Sequence, residues 1–483
     1  MVGVVIELFA SPPILMAGQV VFMPAPETSR SSPPAELPRT LGLWDTVSIT
    51  AGVIIGSGIF LVARNIAQAV ESPGLSLVVW LVSGVLSLCG ALSYAELGAL
   101  LPRAGGQYVY LQEAYGPLTA FLFGWANLLA IQSGSIAAVA VGFAIYLGDF
   151  LPLASWQVKA VAVLCVVLLT WINYRGVESG SRVQNIFTAA KVLGLAGLIV
   201  AGFVFKGGSL AHFTPLFATS KDPSGLLAAL GVAMIAALWC FDGWNNPSFA
   251  AGEIKNPERN LALGLVIGTA GVTLLYLLVN LVYLYVLPIE TVARSERVAA
   301  ETASVLLGAS GGKIISLVVL AATFGCVNGL ILAGARVTYA MSREGHFFEA
   351  VGRVHPRFRT PHVSLLVQGA WSCLLILVGG YDQLFTYVIF AGWIFYLLTT
   401  LAVVILRKKW PRVERPFRVP AYPLVPLLFV AAALWFIVNT LRERPWESLI
   451  GSAIVMIGVP VYLLWKKLAP DRDQRGPLPG KAS

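Results

Sequence analysis

The feature that most constrains this chain is a repetition of apolar runs, each about 20 residues long, separated by short polar loops along nearly its whole length. A helix of that length crosses the ~30 Å hydrocarbon core of a bilayer. Of the 483 residues, 57% are hydrophobic and 12% charged, against about 25% charged in soluble domains. The ~10-residue alternating segments of a membrane β-barrel are missing. The pattern predicts an all-α integral membrane protein with twelve spans. The first five fall near 43–62, 76–100, 118–147, 156–174 and 183–204. The next five fall near 226–250, 261–287, 313–341, 363–379 and 383–406, and the last two near 423–441 and 448–465.

Charge orients the bundle. With the N-terminus inside, the inner loops and tails hold 22 Lys and Arg, the outer ones 9, and two lie within spans. The densest inner cluster is Arg407, Lys408 and Lys409, followed by Arg412, Arg415 and Arg418. The positive-inside rule therefore places both termini in the cytoplasm of a multi-pass cell-membrane protein. The net charge of +9 suits anionic membrane lipid and needs no nucleic acid. Residues 1–40 read as a disordered cytoplasmic extension rich in Pro and Ser. Glu7, Pro12 and Pro13 interrupt its apolar start and no basic segment precedes it, which argues against a signal peptide. Met23 is an alternative start.

Catalysis finds no footing. Cys89, Cys165, Cys240, Cys326 and Cys373 all fall in spans, with neither a CxxC nor a Cys/His cluster. No metal, cofactor or disulfide is expected, and no nucleophile with a partnering base lies at membrane depth. The chain reads as a non-enzyme.

The first span carries the stretch GVIIGSGIF at 52–60. Glycine costs about 1 kcal/mol relative to alanine inside a helix. Either Gly52 and Gly56 form a close-packing face, or the helix is broken there to bind something. The sixth span repeats the fault in AALWCFDGWNNPSF, 236–249, with Asp242 and Gly243 in mid-span and Pro247 after them. Breaks five spans apart place them in matching positions of two five-helix units of opposite orientation. That favours the broken-helix reading.

A break exposes backbone groups. The half-helix beginning after Gly56 offers N–H groups of Ser57, Gly58 and Ile59 and a positive dipole end, which suits a carboxylate. The halves ending at Ile54 and near Trp239 and Phe241 offer carbonyls and a negative end, which suits an ammonium. A site holding both charges side by side takes a free amino acid or another small zwitterion.

GVIIGSGIF, QNIFTAAKVLGL at 184–195, FDGWN at 241–245, EIKNPERN at 253–260 and SREGHFFEAVGRVHPRFRTP at 342–361 together resemble the amino acid–polyamine–organocation superfamily. Within it the chain looks like a bacterial-type member of the L-type family of light-chain amino acid exchangers. The resemblance runs from about residue 41 to 465. It implies a five-plus-five inverted repeat with discontinuous helices 1 and 6 and two C-terminal helices. The corresponding units are 41–206, 207–410 and 411–467, with a cytoplasmic tail at 468–483. It also implies that Gly56, Ser57 and Gly58 take the substrate carboxylate. The carbonyls near Ile54, Trp239, Phe241 and Asp242 would take the amino group, and Trp239 would gate the site.

Lys191 lies deep in the fifth span, where an ammonium costs at least ~2.5–3.5 kcal/mol. It is expected to face the bundle and find carbonyl partners. The resemblance implies that it stands where sodium-coupled relatives hold sodium, making transport sodium-independent; a lysine that exchanges its proton leaves proton coupling open. Asp242 reads as a helix cap or, by the resemblance, as a carboxylate tolerant of cationic side chains. Glu253 and Lys255 are candidate gate contacts, Arg336 snorkels or pairs, and Glu96, Arg103 and the GGQY turn at 105–108 are structural. Residues 298–307 read as an outer lid helix. The loop at 148–157 lacks the cysteine that tethers animal relatives to a heavy chain, so no disulfide-linked partner is expected. The function expected is sodium-independent amino acid exchange by alternating access, with proton symport or an amino acid sensor as alternatives.

Overall fold

The computed structural model describes residues 37–378, 381–443 and 445–468. The extension expected over 1–40 lies outside the described residues up to 36, and the tail expected over 468–483 lies outside them from 469. Among the described residues no strand forms, and Leu41 and Ile254 make one isolated parallel bridge.

In chain order the helices begin with α1 (Leu43–Ile54), α2 (Gly58–Val70), α3 (Pro73–Leu100), α4 (Gln107–Tyr115), α5 (Pro117–Ala126) and α6 (Gln132–Leu147). Then come α7 (Ser155–Tyr174), α8 (Val177–Val204), α9 (Pro223–Cys240), α10 (Pro257–Val286), α11 (Ile289–Arg294) and α12 (Val298–Leu307). The chain ends with α13 (Ser310–Arg343), α14 (His362–Val378), α15 (Tyr381–Lys409), α16 (Leu424–Glu443) and α17 (Pro445–Leu468). Local chemistry sets the starts. Ser72 caps α3 and Asp222 caps α9 through their side chains, each followed by a proline at the first helical position.

Among the described residues, ten helices are long and apolar enough to cross a membrane, or eleven with α1 and α2 taken as one span bent by 45°. The ninth expected span is the 17-residue α14, shorter than a membrane-length helix. The core lies around two elements. Pro117–Leu147 and Ser310–Arg343 are 67% buried over their apolar windows, against 28% for Ser155–Tyr174 and Ser448–Leu468. A π-helical turn at Asn127–Ile131 joins α5 to α6, and Trp371 Nε1 donates to the Leu129 carbonyl there at 3.0 Å.

The two sides of the bundle differ. On the side where the chain enters α1, both α1 and the 3₁₀ segment Asn246–Glu253 pack on α13. On the opposite side, α2 and α9 pack on each other, and α2 also packs on α11 and α12; neither makes a comparable contact with α6 or α13. Around α13, the N-terminal side is therefore the more closely packed of the two. The segment read as a lid is α12. Next to it, Arg297 reaches Asp149 at 2.6 Å, and Ser316 donates to the same carboxylate at 2.6 Å.

Candidate substrate site

Both breaks are present. α1 stops at Ile54, Ile55 leaves the helical region (φ −77°, ψ 85°), and the chain resumes as α2 from Gly58 with Ser57 as its N-cap. Glycine has two separate reasons here. A Cβ on Gly52 would run into the side chains of Gln184 and Thr188, whereas one on Gly56 would meet only Cys326 Sγ at an ordinary 3.5 Å. Gly52 thus serves packing against α8, and Gly56 does not need to be glycine for packing.

In the second break α9 ends at Cys240, and a turn leads through Gly243 at φ +98°, a conformation that favours glycine. The chain then enters a 3₁₀ segment, not the second α-helical half expected, with Pro247 in its first turn, where a missing backbone donor costs nothing. Its N-cap is Asn245, so Asp242 does not occupy the cap position.

The breaks face one cavity, part of it open to solvent. Of the residues singled out in the sequence, Ile54, Gly56, Ser57, Gly58, Trp239, Asp242 and Gly243 line it. Ile59 and Phe241 do not. Ile59 is fully buried, and the ring of Phe241 packs against Trp80 and Tyr276. Sequence reading missed the opposite wall, where Gly134, Ser135, Cys326 and Leu330 come from α6 and α13. Small residues in an apolar helix carry no signal of facing a cavity.

The carbonyls ending α1 are nearly all engaged. Lys191 is fully buried, and its Nζ donates to Gly52 at 2.7 Å, Ile55 at 2.8 Å and Ala322 at 2.9 Å. Cys326 Sγ donates to the Val53 carbonyl at 3.1 Å. The Tyr276 hydroxyl is shared between Ile54 at 3.0 Å and Cys240 at 3.2 Å, joining the two broken ends. Ile54 also accepts from Gly56 N at 2.9 Å, so its carbonyl is occupied. Phe241's carbonyl accepts no turn or side-chain hydrogen bond among the described residues. Asp242 Oδ1 accepts from the Tyr396 hydroxyl at 2.6 Å, and no cation pairs with it among the described residues. Tyr276 was missed because a tyrosine in an apolar span is indistinguishable from an interfacial aromatic.

Glu253 lies in a buried ion pair. Its carboxylate takes a bidentate pair from Arg336, at 2.6 Å to Nε and 3.0 Å to Nη2, with side chains 0% and 1% exposed. Arg336 therefore pairs and does not snorkel; Nη1 also donates to the Leu332 carbonyl. The Glu253 carbonyl accepts the N–H groups of Thr40 and Leu41, both at 2.9 Å. One residue thus ties the entry to α1 and helix α13 together. Lys255 contributes its backbone N–H to Leu41 at 2.8 Å. Glu96 binds Arg407, Arg415 and the N–H of Val419, fastening α3 to the loop after α15. No group of metal-binding side chains occurs among the described residues.

With this geometry in place, comparison is informative. The amino acid permease family matches residues 41–459. The b(0,+)-type amino acid transporter 1 of Mus musculus is 34% identical over 438 residues, 89% of this chain and 88% of that protein. The serine/threonine exchanger SteT of Bacillus subtilis is 33% identical over 434 residues, 89% of this chain and 98% of its own length. The large neutral amino acids transporter small subunit 2 of Mus musculus is 34% identical over 449 residues, 91% and 83% of the two chains. Two breaks around one cavity and similarity along nearly the whole length agree: the chain belongs to the amino acid permease family of the amino acid–polyamine–organocation superfamily.

Proposed function

We propose that this protein is a sodium-independent exchanger of free amino acids working by alternating access across the cell membrane. The observation that carries the reading is the pair of broken helices facing one cavity, with the Lys191 ammonium fixed beside it by three carbonyls. The substrate carboxylate meets the entry to α2 at Gly56, Ser57 and Gly58: the Ser57 and Gly58 N–H groups have no acceptor within the helix, and Gly56, whose own N–H is held by Ile54, leaves room for close approach. The ammonium meets the Phe241 carbonyl and the Asp242 carboxylate, because the carbonyls at Ile54 and Cys240 are held by Tyr276. Lys191 supplies, as part of the chain, the positive charge that a dissociable ion would otherwise bring.

Twelve spans, two inverted five-helix repeats and two cytoplasmic termini belong to the same reading. Trp239 closes the cavity on the open side, and the Glu253–Arg336 pair closes it on the cytoplasmic side. The loop at 148–157 contains no cysteine, in keeping with a carrier that works without a disulfide-linked heavy chain.

The test is uptake of labelled amino acids into proteoliposomes in sodium-free buffer without a pH gradient. Exchange requires uptake only when the vesicles are preloaded with unlabelled amino acid. Uptake into empty vesicles driven by an inward proton gradient would replace exchange by symport, with Lys191 as the proton site. Binding without flux would indicate a sensor.

A further inference from the structure

A second, smaller cavity adjoins the first on its N-terminal side. Both are lined by Ser135 and Asp242, so a substrate side chain that passes Asp242 enters the second. Gln107, Asn127, Asn245 and Tyr396 form its polar wall. Most of these groups are engaged with one another. Asn245 Nδ2 donates to Gln107 Oε1 at 3.1 Å, which leaves the Gln107 amide nitrogen as its free end, and the Tyr396 hydroxyl donates to Asp242.

Two atoms remain unsatisfied. Gln107 Nε2 and Asn127 Oδ1 are fully buried without a hydrogen-bond partner, on residues 0% and 3% exposed. One is a donor and the other an acceptor. Native interiors seldom leave such atoms unpaired, and these two belong to residues that line one cavity, where a small movement of either amide would bring it to a ligand group. The cavity has room for about one water molecule, hence about one heavy atom. A hydroxyl is the one-atom group that both accepts and donates. An ammonium only donates, a methyl does neither, and a carboxylate would lie against Asp242. The Asp242 charge is already met by the substrate α-ammonium, so the second cavity requires no further cation.

We propose that this cavity is a side-chain subsite for an aliphatic hydroxyl, read by Gln107 and Asn127. The protein thereby selects hydroxyl-bearing amino acids over isosteres that end in methyl. The proposal rests on the exchange reading above and names its substrate class.

The test uses the full chain in alanine-loaded proteoliposomes and measures inhibition of labelled alanine uptake. Serine is set against 2-aminobutyrate and homoserine against norvaline, pairs that differ by hydroxyl for methyl. At least one hydroxyl competitor is expected to inhibit at a concentration tenfold or more below its isostere, because a methyl leaves both polar atoms unpaired. The ratio is expected to fall below about threefold in Asn127→Leu and in Gln107→Leu, each taken within the variant. Equal inhibition within both wild-type pairs overturns the subsite and leaves exchange standing; so does a ratio that survives both substitutions. Should the variants fail to fold, the wild-type pairs decide. Absence of any amino acid exchange overturns the functional reading and the subsite with it.

Discussion

At the scale of single residues, two glycines one helical turn apart do different work. Gly52→Ala forces a methyl into Gln184 and Thr188, and overpacking of this kind costs about 1–3 kcal/mol. Gly56→Ala finds ordinary contact distance, but places the methyl in the cavity, where the proposed substrate carboxylate approaches the backbone. We expect Gly52→Ala to lower the detergent-solubilised melting temperature by several degrees. Gly56→Ala should fold normally and lose substrate affinity by tenfold or more, measured as the half-saturating concentration for exchange. Lys191→Ala strips three buried carbonyls of their donor. Exchange should fall at least tenfold, with added sodium giving no recovery above threefold. Sodium-dependent restoration of wild-type rates would instead identify a cation cavity that lysine merely fills.

At the scale of elements, the legibility of the sequence divides along physical lines. Long spans were readable because twenty apolar residues have few other uses, and the breaks because Asp242, Gly243 and Pro247 contradict a helix. Lys191 was readable because a charge at that depth requires partners. The second half of the broken sixth span was not, since a 3₁₀ segment over 246–253 and an α-helix share the same composition. Nor was the π turn at Asn127–Ile131, which depends on Trp371 of another helix. The Glu253–Arg336 pair joins residues 83 apart, and only the fold brings them together. Removing one partner from a buried pair costs about 3–5 kcal/mol, and here that penalty falls on the seal. In Glu253→Gln the cavity should open more often toward the N-terminal side. The measurement is modification of the cavity thiols Cys240 and Cys326 by an impermeant reagent applied from that side. Labelling is expected to rise severalfold, and unchanged labelling would remove the pair from the gate.

At the scale of the whole molecule, the proposed orientation rests on the distribution of charge. In Ala154→Cys the new thiol should react with an impermeant maleimide outside intact cells. In Ala482→Cys it should react only after permeabilisation. The reverse pattern would invert the molecule and place the Glu253 seal on the external face.

Under the proposed exchange, the lysine cage has a physiological consequence. An ion that binds and leaves carries the energy of its gradient into each cycle, whereas an ammonium that stays tethered to the chain, and keeps its proton, returns to the same three carbonyls and carries none. An exchanger built this way cannot enlarge a cell's total store of amino acids. It can only change its make-up, giving up an abundant one for a scarce one, and the direction of the trade is set by whatever the cell has most recently made or consumed.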